Sequence, residues 1–91
     1  MYLRSVIDED GVIKWFNEDN QLHREDGPAI EYPNGDKHWF MYNRLHRLNG
    51  PAIPSRNGNI QFWYLNGIEY SEKEYKEKMR RKKILYLREQ L

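Results

Sequence analysis

The sequence predicts a mainly β fold with one α-helix, an antiparallel meander of about two and a half 23-residue hairpin repeats followed by a C-terminal basic helix. Three observations predict it. Leu22-His23-Arg24-Glu25-Asp26-Gly27-Pro28-Ala29 returns, 23 residues later, as Leu45-His46-Arg47-Leu48-Asn49-Gly50-Pro51-Ala52. A period of that size marks a supersecondary unit that buries its apolar face against its neighbours. The chain also carries 3 Trp, 7 Tyr and 3 Phe, a density that suits cross-strand aromatic pairs in a sheet. At Ser71 the composition turns from aromatic and acidic to strongly basic, with no Gly or Pro afterwards.

The same offset relates Asn34-Gly35 to Asn57-Gly58, Trp39 to Phe62, Phe40 to Trp63, Asn43 to Asn66 and Leu45 to Ile68. Backwards, Trp15-Phe16 maps to Trp39-Phe40 with one residue inserted in the turn at Glu18–Gln21. Residues 11–70 are therefore read as repeats and 71–91 as the helix, within a single domain spanning 1–91. A chain this short buries only about 60–65% of its unfolded surface, so stability is expected to be modest.

Each strand has a local reason. Asp36-Lys37-His38-Trp39-Phe40-Met41-Tyr42 is aromatic, and Asn34-Gly35 before it is a strong hairpin signal because both residues accept φ > 0. Asn43-Arg44 turns the chain into the short strand Leu45-His46, and Asn49-Gly50 turns it again before Pro51-Ala52-Ile53. Pro28 and Pro51 lack an N–H, which places them at strand starts or at an edge. Gly27, Gly35, Gly50 and Gly58 are expected at φ > 0.

Side chains alternate across a strand, so two aromatic rows result. Trp15, Trp39 and Phe62, with Met41 and Tyr64, are assigned to the core. Phe16, Phe40 and Trp63, with Tyr42 and Leu65, form the other row. That row needs a cover: the C-terminal segment, the meander folded back on itself, or a partner. It is the candidate contact surface.

Ser71-Glu72-Lys73-Glu74 matches a capping box and opens the helix. Tyr75, Met79, Lys82 and Tyr86 fall on one stripe, and Ile84, Leu87 and Leu91 on a second. The net charge of +1 hides an asymmetry, for 8 of the 15 Lys and Arg residues lie beyond Tyr70. Arg80-Arg81-Lys82-Lys83, with Lys76 and Lys78, is the one strong charge cluster. It reads either as a solvated helix face or as an anion-facing patch for nucleic acid.

Enzymatic classes find no support. There is no cysteine, and no nucleophile triad, phosphate-binding glycine loop or paired-carboxylate site can be assembled. His23 and His46 lack companions at ligand spacing, and Glu69 follows at the next equivalent of His46, so they read as turn-closing residues rather than metal ligands. Arg24 is expected beside Glu25 or Asp26. No catalytic residue, metal or cofactor is assigned. No segment approaches membrane-span length or signal-peptide form, so a cytoplasmic protein is expected, with no membrane partner.

The strings Leu-His-Arg-x-(Asp/Asn)-Gly-Pro-Ala and Asn-Gly-x-x-x-(Trp/Phe)-(Phe/Trp), ending in Trp63-Tyr64-x-Asn66-Gly67 before the helix start, resemble the HREDGPA-type hairpin repeats of small phage and large-DNA-virus proteins. They are distantly similar to membrane-occupation-and-recognition-nexus (MORN) repeats. The resemblance covers about two thirds of the chain and implies a single-layer hairpin scaffold. The MORN Tyr-x-Gly-x-x-x-x-Gly spacing is not kept, so the lipid and kinase associations suggested for MORN repeats do not carry over. The expectation is a non-enzymatic, phage-encoded binding protein that occludes a host protein, such as a component of a CRISPR or other antiviral defence system. The alternative is nucleic-acid binding through residues 76–83. Lipid-headgroup binding by the same helix is disfavoured by its weak apolar face.

Overall fold

A computed structural model describes residues 2–90. Eight short strands precede one helix: β1 (Leu3–Ile7), β2 (Ile13–Asn17), β3 (Ile30–Glu31), β4 (Lys37–His38), β5 (Phe40–Met41), β6 (Arg44–Leu45), β7 (Trp63–Leu65), β8 (Ile68–Tyr70) and α1 (Glu72–Glu89). Strands β1 to β4 form one antiparallel sheet in chain order, while β5–β6 and β7–β8 are two-stranded hairpins. The fold is thus mainly antiparallel β with one C-terminal helix. No helix among the described residues is long and apolar enough to cross a membrane.

The two Leu-His-Arg-x-x-Gly-Pro-Ala segments make matching bonds. The Trp15 N–H donates to the Ala29 carbonyl at 2.8 Å and its own carbonyl accepts from the His23 N–H at 3.1 Å. Trp39 does the same with Ala52 and His46 at 2.8 and 3.1 Å. Both alanines are fully buried, so a larger side chain at either position would force the close-packed surroundings to shift.

Each arginine then folds back over its own tryptophan. Arg24 lies 4.4 Å from the Trp15 ring centroid and Arg47 lies 3.8 Å from that of Trp39. The Arg24 Nη1 donates to the Pro28 carbonyl at 3.2 Å, and the Arg47 Nη1 to that of Pro51 at 3.1 Å. Glycine completes the clamp. A Cβ on Gly27 would sit 2.7 Å from the Arg24 Cζ, and one on Gly50 2.9 Å from the Arg47 Cζ. Gly35, Gly50 and Gly58 take positive φ as expected, but Gly27 does not. Its glycine is required by the guanidinium beneath it rather than by backbone conformation.

The phase of the third aromatic pair differs from the sequence alignment. Ile30 opposes His38 across residues 31–37, whereas Ile53 opposes Phe62 across 54–61, one residue more. The bonds that follow keep that shift. Arg24 N–H donates to the Phe40 carbonyl and Arg47 N–H to that of Tyr64, at 3.2 and 3.3 Å. Trp63, not Phe62, therefore stands where Trp39 stands, and Tyr64 where Phe40 stands. A one-residue change reverses which face every following side chain takes. Phe62 is accordingly 41% exposed rather than in the core, and Leu65, placed by sequence on the exposed row, is buried.

The tryptophans are half-buried under their caps rather than beneath a second sheet. Fully or nearly enclosed are Pro28, Ala29, Ile30, Ala52, Leu65, Tyr75, His23 and Asn17. The sheet also gains β1, an element the sequence reading left unassigned. Its turn is built by the Asp8 carboxylate, which accepts from the Asp10 and Val12 N–H groups at 2.9 and 3.0 Å.

Ser71 caps α1 as its sequence predicts. Its hydroxyl accepts from the Glu74 N–H at 3.1 Å and its N–H donates to the Glu74 carboxylate at 3.2 Å. Those bonds hold the Glu74 carboxyl below its ordinary pKa. Only the first turns of the helix dock. Tyr75 is buried and Met79 half-buried, while Lys82 and Tyr86, expected on the same stripe, are exposed. Ile84 and Leu87 of the second stripe are also exposed, and Leu91 lies outside the described residues.

The clamp is testable by chemical unfolding. Arg47→Lys keeps the charge but loses the flat stack and the fixed fork of donors, so it should cost about 1–2 kcal/mol. Gly27→Ala should cost a similar amount, roughly 1–3 kcal/mol, by displacing the Arg24 guanidinium. Urea titrations that leave both variants at the wild-type midpoint would remove the clamp from the stability argument.

Candidate binding surface

The hairpin turns carry the first candidate contact residue. Tyr42 and Asn43 join β5 to β6 with φ of 49° and 64°, so Tyr42 lies in the turn and not in the strand to which the sequence assigned it. The corresponding turn, between β7 and β8, uses Asn66 and Gly67 at 51° and 82°. Two positive φ values match the twist of a two-residue hairpin, and Asn and Gly tolerate them. A tyrosine there is strained by roughly 1–2 kcal/mol.

A histidine holds each turn. The Tyr42 N–H donates to the His23 Nδ1 at 3.1 Å, and the Asn66 N–H to the His46 Nδ1 at 2.9 Å. His23 is fully buried, and its ring packs on that of Tyr42 with centroids 4.4 Å apart. These are the turn-closing roles that the sequence assigned to the two histidines. The Tyr42 ring is nonetheless half exposed.

The other aromatic candidates belong to three different sheets: Phe16 to β1–β4, Phe40 to β5–β6 and Trp63 to β7–β8. Phe16 is half-buried, with the Arg4 guanidinium 4.9 Å from its ring centroid, and Phe40 is half-buried opposite Leu45. Trp63 belongs with Trp39 by its bonding position, so Phe16, Phe40 and Trp63 do not form one row. Trp63 is capped by Tyr75 from α1, at 4.9 Å between ring centroids.

That cap is specific. The Tyr75 hydroxyl donates to the Arg47 carbonyl and accepts from the Gly50 N–H at 3.4 Å, which seats the phenol against the second Arg-x-x-Gly turn. Burial raises the pKa of Tyr75, so it remains a neutral donor. Sequence reasoning placed Tyr75 on a helix stripe but not against a turn. The signal was the absence of an arginine at the third equivalent of Arg47.

Arg80, Arg81, Lys82 and Lys83 are all exposed. The fold brings Arg81 and Lys82 together with Leu65 and Lys78 around a shallow concavity of about 310 Å³ between the last hairpin and α1. A second concavity, of about 400 Å³, lies between the turns Arg24–Gly27 and His46–Asn49 and is lined also by Met41 and by Trp39, whose ring Arg47 covers. Sequence reasoning did not find this one, because it is made by two turns 23 residues apart. Among the described residues, no three His, Asp or Glu side chains gather closely enough to hold a metal ion.

Compared with known proteins, the chain matches no family model, no curated protein and no solved structure.

The histidines also set a pH dependence. Burial holds His46 below its ordinary value of 6.5, helped by the nearby Lys82, and burial lowers His38 against an opposing pull from Asp36. The unfolded chain therefore binds more protons than the folded one once pH drops below about 6.5, and stability falls with acidification. The His46 Nδ1 must also stay unprotonated to accept from Asn66. Urea midpoints should be flat from about pH 8 to 7 and fall between about pH 6.5 and 5, and His46→Gln should flatten that fall.

Proposed function

We propose that this chain is a non-enzymatic binding protein, a hairpin-repeat meander of about two and a half units that presents aromatic side chains to a protein partner. The observation that carries the reading is Tyr42. It keeps a strained positive φ at the tip of a hairpin while half of its ring faces solvent. The fold does not need a tyrosine there, since Asn66 makes the same bond to the next histidine without the strain. Backbone strain retained at an exposed position is a mark of a contact surface. A rigid ring on a hairpin is also a low-entropy anchor of the kind that dominates interface energetics.

The resemblance to phage and viral hairpin repeats gives this reading its setting: a phage-encoded protein, acting in the host cytoplasm, that occludes a host protein such as a component of a CRISPR or other antiviral defence system. Phe16 and Phe40 would extend the contact beyond Tyr42. Trp63 and Leu65, covered by the helix, would support it from beneath.

Nucleic-acid binding through residues 76–83 is the second reading, supported by the exposure of all four residues from Arg80 to Lys83. Against it, helical spacing divides the six cations into two stripes, Lys76, Arg80 and Lys83 on one face and Lys78, Arg81 and Lys82 on the opposite one, so only three can face a phosphate backbone at once.

Two variants separate the readings. Tyr42→Asn should melt at or slightly above the wild-type temperature, yet fail to retain the partner that the wild-type chain captures from host lysate. Arg80→Ala/Arg81→Ala should leave that capture intact. If the protein instead retards DNA or RNA with an affinity that falls steeply with salt, and the double-alanine variant reduces the salt slope, the helix is the functional element.

A further inference from the structure

We infer that the concavity between the last hairpin and α1 binds a small organic phosphate, a monoester whose anion is held by Lys78, Arg81 and Lys82 and whose apolar stem rests on Leu65 and Ile68. The space arises because the array of hairpins stops there. One unit earlier, the Asn66–Gly67 turn packs on the strand before it. The Gly67 N–H donates to the Leu45 carbonyl and the Asn66 N–H to the His46 Nδ1, both at 2.9 Å. A Cβ on Gly67 would lie 3.7 Å from that of Arg44. By their places in the ladder, Ile68 and Tyr70 are the counterparts of Arg44 and His46. No further hairpin follows to cover them. The helix walls the space instead, and about 310 Å³ is left beside Ile68 and Tyr70.

What the helix brings to that wall is positive charge. Lys78, Arg81 and Lys82 all line the concavity, and no acidic side chain does. None of the three has an ion-pair partner among the described residues, whereas Lys76 on the opposite stripe pairs with Glu72 at 2.9 Å. The acids one turn before them do not compensate. Glu74 is committed to the Ser71 N–H, and Glu77 makes no ion pair among the described residues. The Lys78 ammonium stands 5.2 Å from the Tyr70 ring centroid. Burial and, after it, Lys82 lower the pKa of His46, so the field of this wall reaches across the turn. Like charges gathered at a concave wall repel one another, and an anion bound among them reverses that cost. A phosphate monoester matches the wall better than a carboxylate does. It carries about −1.5 to −2 charge at neutral pH, and its terminal oxygens suit an arginine fork beside two ammonium groups. Leu65 is buried and Ile68 is exposed at the opening, which gives an apolar stem somewhere to lie. The volume suits one phosphate with a short stem and not a length of nucleic-acid backbone. The site is independent of the Tyr42 surface.

Inorganic phosphate, n-butyl phosphate and n-butyl sulfate, titrated separately into the ¹⁵N-labelled intact protein at constant ionic strength, test the site. n-Butyl phosphate should give saturable shifts at the Asn66, Gly67 and Arg81 amides. Its Kd should lie about fivefold or more below that of inorganic phosphate, because its stem is buried, and below that of the monoanionic sulfate. Lys78→Gln/Lys82→Gln should weaken it about tenfold or more while the spectrum stays dispersed. Lys76→Gln/Lys83→Gln removes the same charge from the opposite stripe and should change the Kd by less than about twofold. Equal losses in the two double variants would overturn the site in favour of diffuse attraction to the helix. Sulfate binding as tightly as phosphate, or shifts spread along all of α1, would overturn it too. A phosphoserine peptide or a 5′-phosphorylated oligonucleotide binding more than about tenfold tighter than n-butyl phosphate would overturn the small-molecule source. Self-association that phosphate disperses would also overturn it, since the acids of a second copy would then be the occupant.

Discussion

A guanidinium held between a tryptophan ring and a glycine is the contact on which the rest of this fold depends. Among the described residues the strands are two to five residues long and fall into one four-stranded sheet and two separate hairpins. Such a layer cannot be held by a buried aliphatic core, because few of its side chains leave water completely. Arg24 and Arg47 solve this locally. Each covers a ring that would otherwise be wet, and each ties down the proline carbonyl that begins the next strand. Cation–π contact contributes about 0.5–2 kcal/mol depending on desolvation, which is large beside what a two-residue strand can supply. Lysine lacks the planar surface and the spaced donors, so the residue type is dictated by geometry as well as charge.

The histidines carry the connection from one unit to the next. A histidine backbone N–H closes its own hairpin onto tryptophan, while the ring nitrogen accepts from the turn of the following hairpin. One residue thus fixes both the width of a unit and its spacing from its neighbour. Carboxylate could accept the same bond, but it would bring a charge into a site that His23 occupies with no exposed surface.

Much of this was legible in the sequence, and what was not has a definite cause. The Leu-His-Arg-x-x-Gly-Pro-Ala string announced identical bonds at two places, and the Ser71 capping box announced the helix start. What periodicity could not report was the extra residue between Ile53 and Phe62. Asn57-Gly58 keeps the 23-residue offset, so the insertion falls after the turn, where polar Asn59 and Gln61 carry no phase information. The consequence is large for its size, since it exchanged Phe62 for Trp63 and turned Leu65 inward. Gly27 was misjudged for a related reason: a glycine needed for side-chain clearance looks the same as one needed for backbone freedom. Tyr42 reads as a strand residue because tyrosine normally is one, and the bonds that hold it in a turn, to His23 and between Leu22 and Asn43, come from a segment some 20 residues away.

The arginine cover is used twice and not a third time, for Ser71 stands where the arginine over Trp63 would be. The helix begins there, and its first turn delivers Tyr75 onto Trp63. A phenol replaces a guanidinium as the lid, and its hydroxyl is anchored by the preceding turn instead of the following one. Arg81 and Lys82 still face the last hairpin across a shallow concavity, whereas Ile84, Leu85, Tyr86 and Leu87 remain exposed. The strained Tyr42 turn is held from one side by the buried His23, and the tyrosine itself stays half exposed on the other.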